Sequence, residues 1–578
     1  MFLLPKPQKI SVLPGHLCNR TMRVRNYVPE PRIDKALRKL PVDDAGVLFE
    51  VYEKNTGDCK EGYYLKIEET RITLIGESAK GVFYGIQTLR QLLEQDEIPC
   101  MEIEDAPGME YRGFYHDITR GKVPKVETIK KMIDHMAYLK LNSLQLYIEH
   151  TFPFKELGNH IEKTGCLTTE EIQEIDDYCY ENFIELIPSI ATFGHLYELL
   201  QLEGYRDLQE LEDYKETQIF WYERMEHHTI DPTKKRSFEI VKSLIDQMLP
   251  LFRTNKFNIC CDETFDLKNG KHKNQDTGEL YIDFVKKIIG YLESKGKTVM
   301  MWADILLQHP ETISELPVNV EFLNWSYGAN PPEEIFATFG KLDCIQIVCP
   351  GTSSWNGLVE GIHVGTQNIL KLGDFGYKYH AKGMLNTNWG DYGNPCSLEL
   401  AMHGLALGAA KSWNAKTSAD TYFTDCINYL IYKNPDGVKY LTMLDEVSMD
   451  IPWKKLVWCY SNCIFEKQFE ITYPEKEVIL KAQEKCREIM DDLEVPQIKK
   501  DKDGYKVWEE DEYRQEMLLA AEGLLLMAEM YAKLAGYDIR RYTDAEAWLK
   551  KYRVKWMQKN KESELREIEK MFRELERS

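Results

Sequence analysis

Two rhythms of apolar and polar residues divide the chain. Near the start, VLFEVYEK and YYLKIEETRITLIG alternate with a period of two, the pattern of half-buried strands. SAKGVFYGIQTLRQLLEQ then changes period, with Val82, Ile86, Leu89 and Leu93 on one helical face. The turn DAPG at 105–108 marks a boundary. Residues 1–108 are therefore read as a small α+β domain.

From 109 to 430 short apolar runs alternate with longer amphipathic segments. The runs are YRGFYHDI (111–118), NSLQLYI (142–148), IELIPSI (184–190), FNICCDE (257–263), TVMMW (298–302), VEFLNW (320–325), CIQIVC (344–349) and GMLNTNW (383–389). Between them lie helical patterns such as VETIKKMIDHMAYLKL and YIDFVKKIIGYLESKG. Eight strand–helix repeats predict an α/β fold, a (β/α)8 TIM barrel. Residues 431–578 read as a C-terminal helical domain. Its last stretch, KNKESELREIEKMFRELERS, alternates acids and bases and is expected to be a solvated surface helix.

Composition narrows the picture. With 43% hydrophobic and 29% charged residues, the chain has the make-up of a soluble globular protein. No run approaches the ~18 apolar residues of a membrane span. The net charge of −21 argues against nucleic acid or an anionic membrane as partner. MFLLPKPQKISVLP lacks the basic start and apolar core of a signal peptide, and the 14 cysteines show no paired CxxC spacing. A reduced, cytoplasmic protein is expected. His227 and His228 have no third ligand at metal spacing, so neither a metal nor another cofactor is expected.

The chemistry gathers where a barrel of this type places its active site, at the carboxyl ends of the strands. The first strand leads to Asp117 and Arg120, the second to Glu149, the third to His195 and the fourth to the adjacent acids Asp262 and Glu263. The fifth and sixth end in Trp302 and Trp325. Trp355 and Asn356 follow the seventh, and the eighth ends in Trp389 with Asp391 close behind. Four tryptophans and an acid pair on one rim suit a sugar. Aromatic faces stack on pyranose rings, and carboxylates and Arg bind hydroxyls. Adjacent acids on an extended strand point to opposite sides, so both can serve one pocket only if the backbone turns at the strand's end.

These stretches resemble glycoside hydrolase family 20, the exo-β-N-acetylhexosaminidases, over about residues 65–395. SAKGVFYGIQTLRQLL is similar to the end of the family's small N-terminal domain, and YRGFYHDITR to its first barrel strand. IPSIATFGH, NICCDE and NWGD resemble its motifs on strands three, four and eight. The resemblance implies that Glu263 is the general acid and base. Asp262 would brace the substrate's own 2-acetamido nucleophile, and catalysis would retain configuration through an oxazolinium ion. It further implies that Arg120 and Asp391 anchor the non-reducing end, with Glu149, His195, Trp302, Trp325, Trp355, Asn356 and Trp389 completing the pocket. Tyr327 is the candidate for the hydroxyl that meets the acetamido group. The substrate would be terminal β-linked GlcNAc or GalNAc. Four positions depart from the family's pattern. Cys260 and Cys261 replace two glycines, Asp391 replaces a Glu, and Glu149 stands in a motif that usually carries an Asp pair. A silent sugar-binding or sensor barrel, and an endo-acting hexosaminidase, are the alternative readings.

Overall fold

A computed structural model describes residues 1–578 except 56–58, 159–164, 213, 215–218, 227, 343, 466–468, 495–497, 502–503 and 508–511, with backbone alone at 498–501 and 504–507. The period-two segments build a six-stranded sheet. Its strands are β1 (Lys9–His16), β2 (Met22–Asn26), β3 (Val47–Glu53), β4 (Tyr63–Ile67), β5 (Arg71–Gly76) and β6 (Pro99–Asp105), in the order β1-β6-β4-β5-β3-β2. Tyr63, Leu65 and Ile67 of β4 face inward while Tyr64 and Lys66 do not. The helix Ala79–Leu93 packs its apolar face on β4 and β5. Ser78 caps that helix by accepting from the backbone N–H of Lys80 and Gly81.

Eight parallel strands then close on themselves. They are β7 (Tyr111–Asp117), β8 (Ser143–Ile148), β9 (Glu185–Ile190), β10 (Lys256–Asn258), β11 (Thr298–Trp302), β12 (Glu321–Trp325), β13 (Ile345–Cys349) and β14 (Gly383–Asn388). The seam is the pairing of β14 with β7, from Gly383↔Tyr111 to Asn388↔His116. The sheet domain is locked to the barrel by buried charge. Arg112, at the start of β7, donates to Glu61 Oε2 at 2.5 Å and to Tyr84 OH at 3.0 Å. Lys140 donates to Asp105 Oδ2 at 3.1 Å, both side chains being buried. Removing one partner of such a pair typically costs about 3–5 kcal/mol.

Two sequence expectations need correction. The fourth strand spans only Lys256–Asn258, not 257–263, because Cys260, Cys261 and Glu263 take φ of +56°, +64° and +49°. Left-handed residues cannot continue a strand. The C-terminal tail is not simply solvated. The helix Leu565–Arg577 buries Leu565, Ile568, Met571, Phe572 and Leu575, and Phe572 packs on Trp453 and Trp548. Charges on its other face hid that stripe. Among the described residues no helix is long and apolar enough to cross a membrane.

Candidate active site

The left-handed turn after β10 is what lets neighbouring acids share one pocket. It swings Asp262 and Glu263 toward His195, whose own φ is +59°. His195 Nε2 lies 3.4 Å from Asp262 Oδ2 and 3.3 Å from Glu263 Oε2. Burial works against a charge on this imidazole. Asp262 first, and hydrogen bonding to both acids, outweigh it and push its pKa up to about 10. Cys260 and Cys261 are held by side-chain contacts. The first sulfur lies 3.4 Å from Ser189 Oγ and the second 3.3 Å from Thr192 Oγ1. Behind the turn, Asp304 Oδ2 accepts the backbone N–H of Glu263 at 2.9 Å. Burial and Asp262 raise the Asp304 pKa well above the carboxylate range, which favours the neutral acid.

A second charged group faces this one. Arg120 Nη1 donates to Asp391 Oδ1 at 3.1 Å, and its Nε lies 3.4 Å from Glu149 Oε1. Its guanidinium sits over the rings of Trp389 and Tyr147, 5.0 and 5.2 Å from their centroids. Asp117 holds the two loops in register. Its carboxylate accepts from the N–H groups of Thr119 and Arg120 and, across the seam, of Gly390. Burial raises the pKa of Glu149 and of Asp391, and in both Arg120 acts in the opposite sense. Tyr147 donates to Glu149 Oε1 at 3.0 Å.

The aromatic wall has two facets. Trp302 and Trp389 pack at 5.7 Å between centroids, with Tyr115 against both. Trp325 stacks on Tyr327 at 5.0 Å, and Trp355 meets Tyr327 edge-on at 5.1 Å. Trp389 Nε1 donates to Tyr327 OH at 2.7 Å and so ties the facets together. Asn356, at φ +62°, follows Trp355, and among the described residues its buried Oδ1 accepts no hydrogen bond. Trp302 is fully buried behind this wall, whereas Trp325, Tyr327 and Trp355 are partly exposed.

The residues expected at the strand ends stand at that face of the barrel. Tyr115, Tyr147 and Asp304 were missed. Tyr115 and Tyr147 stand two residues before Asp117 and Glu149, so the period of two could have found them.

Two clusters bring carboxylate and imidazole donors within 4.8 Å of one another. In the first, His195 Nε2 lies 3.4 Å from Asp262 Oδ2 and 3.3 Å from Glu263 Oε2. In the second, Glu210 takes both the backbone N–H and Nδ1 of His272 at 2.8 Å, which leaves its oxygens engaged. His227 lies outside the described residues, and His228 Nε2 sits 2.8 Å from Glu223 O.

Comparison with known proteins adds lineage. The beta-hexosaminidase of Porphyromonas gingivalis is 29% identical over 284 residues, covering 43% of this chain and 36% of that protein. Hexosaminidase D of Bos taurus is 25% identical over 224 residues, covering 36% of this chain and 61% of that one. The chain therefore matches between about a third and three-fifths of the length of these two relatives. Among solved structures, the fold is similar to the Flavobacterium johnsoniae chitobiase, with a TM-score of 0.61, 17% identity and 99% of each chain covered. It is also similar to the Vibrio harveyi exo β-N-acetylglucosaminidase complexed with N-acetylglucosamine. There the TM-score is 0.60 at 19% identity, covering 74% of this chain and 76% of that one. Residues 109–335 match the model of the glycosyl hydrolase family 20 catalytic domain, and residues 30–106 match that of the family's domain 2. Barrel and sheet domain, more than half of the chain together, point to one lineage: this protein belongs to glycosyl hydrolase family 20.

Proposed function

We propose that the chain is an exo-β-N-acetylhexosaminidase that removes terminal β-linked GlcNAc or GalNAc with retention of configuration. The observation that carries the reading is the position of His195 within 3.4 Å of both Asp262 and Glu263. The two adjacent acids thus serve one pocket, with an oxygen of each within 4.8 Å of the other. They suit a division of labour. Glu263 protonates the leaving oxygen and then deprotonates water. Asp262 orients the acetamido N–H, so that the acetamido oxygen attacks C1 and forms the oxazolinium ring. Water opens that ring from the face the leaving group vacated. Trp325, Trp355, Asn356 and Trp389, backed by Trp302 and with the hydroxyl of Tyr327, enclose the acetamido group and sugar ring. Arg120 and Asp391 hold the 4-hydroxyl, with Glu149 steadying Arg120.

The Arg120–Asp391 contact favours exo action, because it stands where a longer chain would have to pass. Fourteen cysteines held as thiols favour a reducing compartment. The test is hydrolysis of the p-nitrophenyl β-glycosides of N-acetylglucosamine, N-acetylgalactosamine and glucose. Activity on the acetamido sugars alone is expected. Cleavage of the plain glucoside would remove substrate assistance, and inactivity on all three would favour a binding-only or endo-acting protein.

A further inference from the structure

Arg224 and Glu564 lie 340 residues apart, and both are buried. Arg224 Nη1 donates to Glu564 Oε1 at 2.7 Å, and Nη2 donates to Glu198 Oε1 at 2.9 Å. The other oxygen of Glu564 accepts from Trp221 Nε1 at 2.8 Å. A buried ion pair gains little net stability, since desolvation offsets most of the attraction. This one calls for a reason beyond folding.

Its surroundings supply the reason. Glu564 ends the turn that joins the helices Ala545–Lys559 and Leu565–Arg577. That turn runs along the loop that follows Arg120. Lys125 N donates to Lys559 O at 2.9 Å, Lys561 N to Val123 O at 2.8 Å and Glu564 N to Gly121 O at 3.2 Å. Gly121 (φ +120°) in turn presses on the loop that carries Asp391, where a Cβ would sit 2.4 Å from the Gly393 backbone. Gly393 (φ +89°) leaves room for Trp221, whose ring would lie 2.7 Å from a Cβ there. One carboxylate therefore holds Trp221 beneath the Asp391 loop. It also holds Arg224 beneath the Arg120 loop, where Arg224 Nη1 reaches Thr119 O at 3.4 Å. Glu198, the second partner of Arg224, stands three residues after His195.

We infer that Glu564 is a positioning residue for Arg120 and Asp391, which makes the C-terminal helical region part of the apparatus that grips the sugar's non-reducing end. The inference rests on the hydrolase reading above. Glu564 does not touch the sugar. It fixes the spacing of two loops whose side chains do.

The test uses the full chain and two substrates, p-nitrophenyl N-acetyl-β-glucosaminide and its 4-deoxy analogue. The analogue lacks the hydroxyl that Arg120 and Asp391 would hold. Wild-type protein should prefer the parent. Glu564→Gln should lose about 10- to 100-fold in kcat/KM on the parent, mainly through KM, with much less loss on the analogue, as misplacement of a binding group by an ångström does. Glu564→Asp should recover part of the preference. An equal loss on both substrates, or no loss, overturns the inference. If Glu564→Gln does not fold, Trp221→Phe cuts the same carboxylate's other tether and is read in the same way. Wild-type protein inactive on the parent overturns the hydrolase reading and this inference together. Active wild type with an unmoved preference in the variants overturns this inference alone.

Discussion

Arg120 and Asp391 are 271 residues apart in the chain and 3.1 Å apart in the fold. They meet across the seam of the barrel, each on the loop that leaves a terminal strand of the ring. In the proposed site a sugar's hydroxyls would enter between partners already paired, which would select groups that can bond to both.

Asp391→Asn tests that selection. A hydrogen bond to a charged group contributes about 1.5–3 kcal/mol. The variant should lose roughly 10- to 100-fold in kcat/KM on the N-acetylglucosaminide, seen mainly as a higher KM. An unchanged KM would remove Asp391 from the anchor.

Glu263→Gln should lower kcat by about 10²- to 10⁴-fold, the range of acid–base catalysis. Asp262→Asn should lose activity that added azide does not restore, because the proposed route forms no sugar–enzyme bond. Azide rescue with a glycosyl azide product would place a covalent intermediate in the reaction instead.

His195 should make stability sensitive to alkali. Its folded pKa of about 10 lies above its ordinary 6.5. The contribution is therefore complete below pH 6.5 and is lost as pH rises through 10. The difference in urea midpoint between wild type and His195→Phe should be largest at about pH 6 and shrink steadily toward pH 10. A difference independent of pH would show that His195 titrates alike in the folded and unfolded chain.

His116 should act in the opposite direction. Burial first, and then Lys122, depress its pKa from the ordinary 6.5 to about 4, and its Nδ1 accepts from Asn388 Nδ2 at 2.9 Å. The unfolded chain takes up a proton that the fold refuses. Stability present above pH 6.5 should fall progressively toward pH 4, with a slope approaching about 1.4 kcal/mol for each pH step of one. His116→Gln should flatten that fall relative to wild type in urea melts at about pH 7, 5.5 and 4.5, which bracket the interval between the two pKa values. Parallel curves for the two proteins would mean that His116 titrates alike in the folded and unfolded chain.

The turn before the acid pair offers a conformational test. A non-glycine residue in the left-handed region costs roughly 1–2 kcal/mol. Cys261→Gly should leave stability within about 1 kcal/mol of wild type, because relief of strain offsets the entropy glycine adds to the unfolded chain. Activity should survive. Cys261→Val is β-branched and should cost about 1–3 kcal/mol and displace Asp262. An active, stable valine variant would mean that the left-handed turn is dispensable.

The barrel and most of its rim are legible in the sequence, because period-two runs and strand ends are local signals. FNICCDE misleads for a physical reason. Its apolar residues have the composition of a strand, but φ at Cys260 and Cys261 is positive, and their sulfurs meet Ser189 and Thr192, which are distant in sequence. The tail misleads differently. Leu565, Ile568, Met571, Phe572 and Leu575 do form a helical stripe, masked by charge on the opposite face. Glu564 is beyond such reading, since nothing near it announces an arginine 340 residues upstream.

The seam between β7 and β14 gives the site a second meaning. The groups proposed to grip the sugar lie on the loops of the first and last strands of the ring, so no partly assembled barrel has both. Closure over so long a sequence separation is a late and slow kind of contact. Affinity for the 4-hydroxyl therefore amounts to a certificate of completed folding. A chain can hold its sugar in register only after its two ends have met.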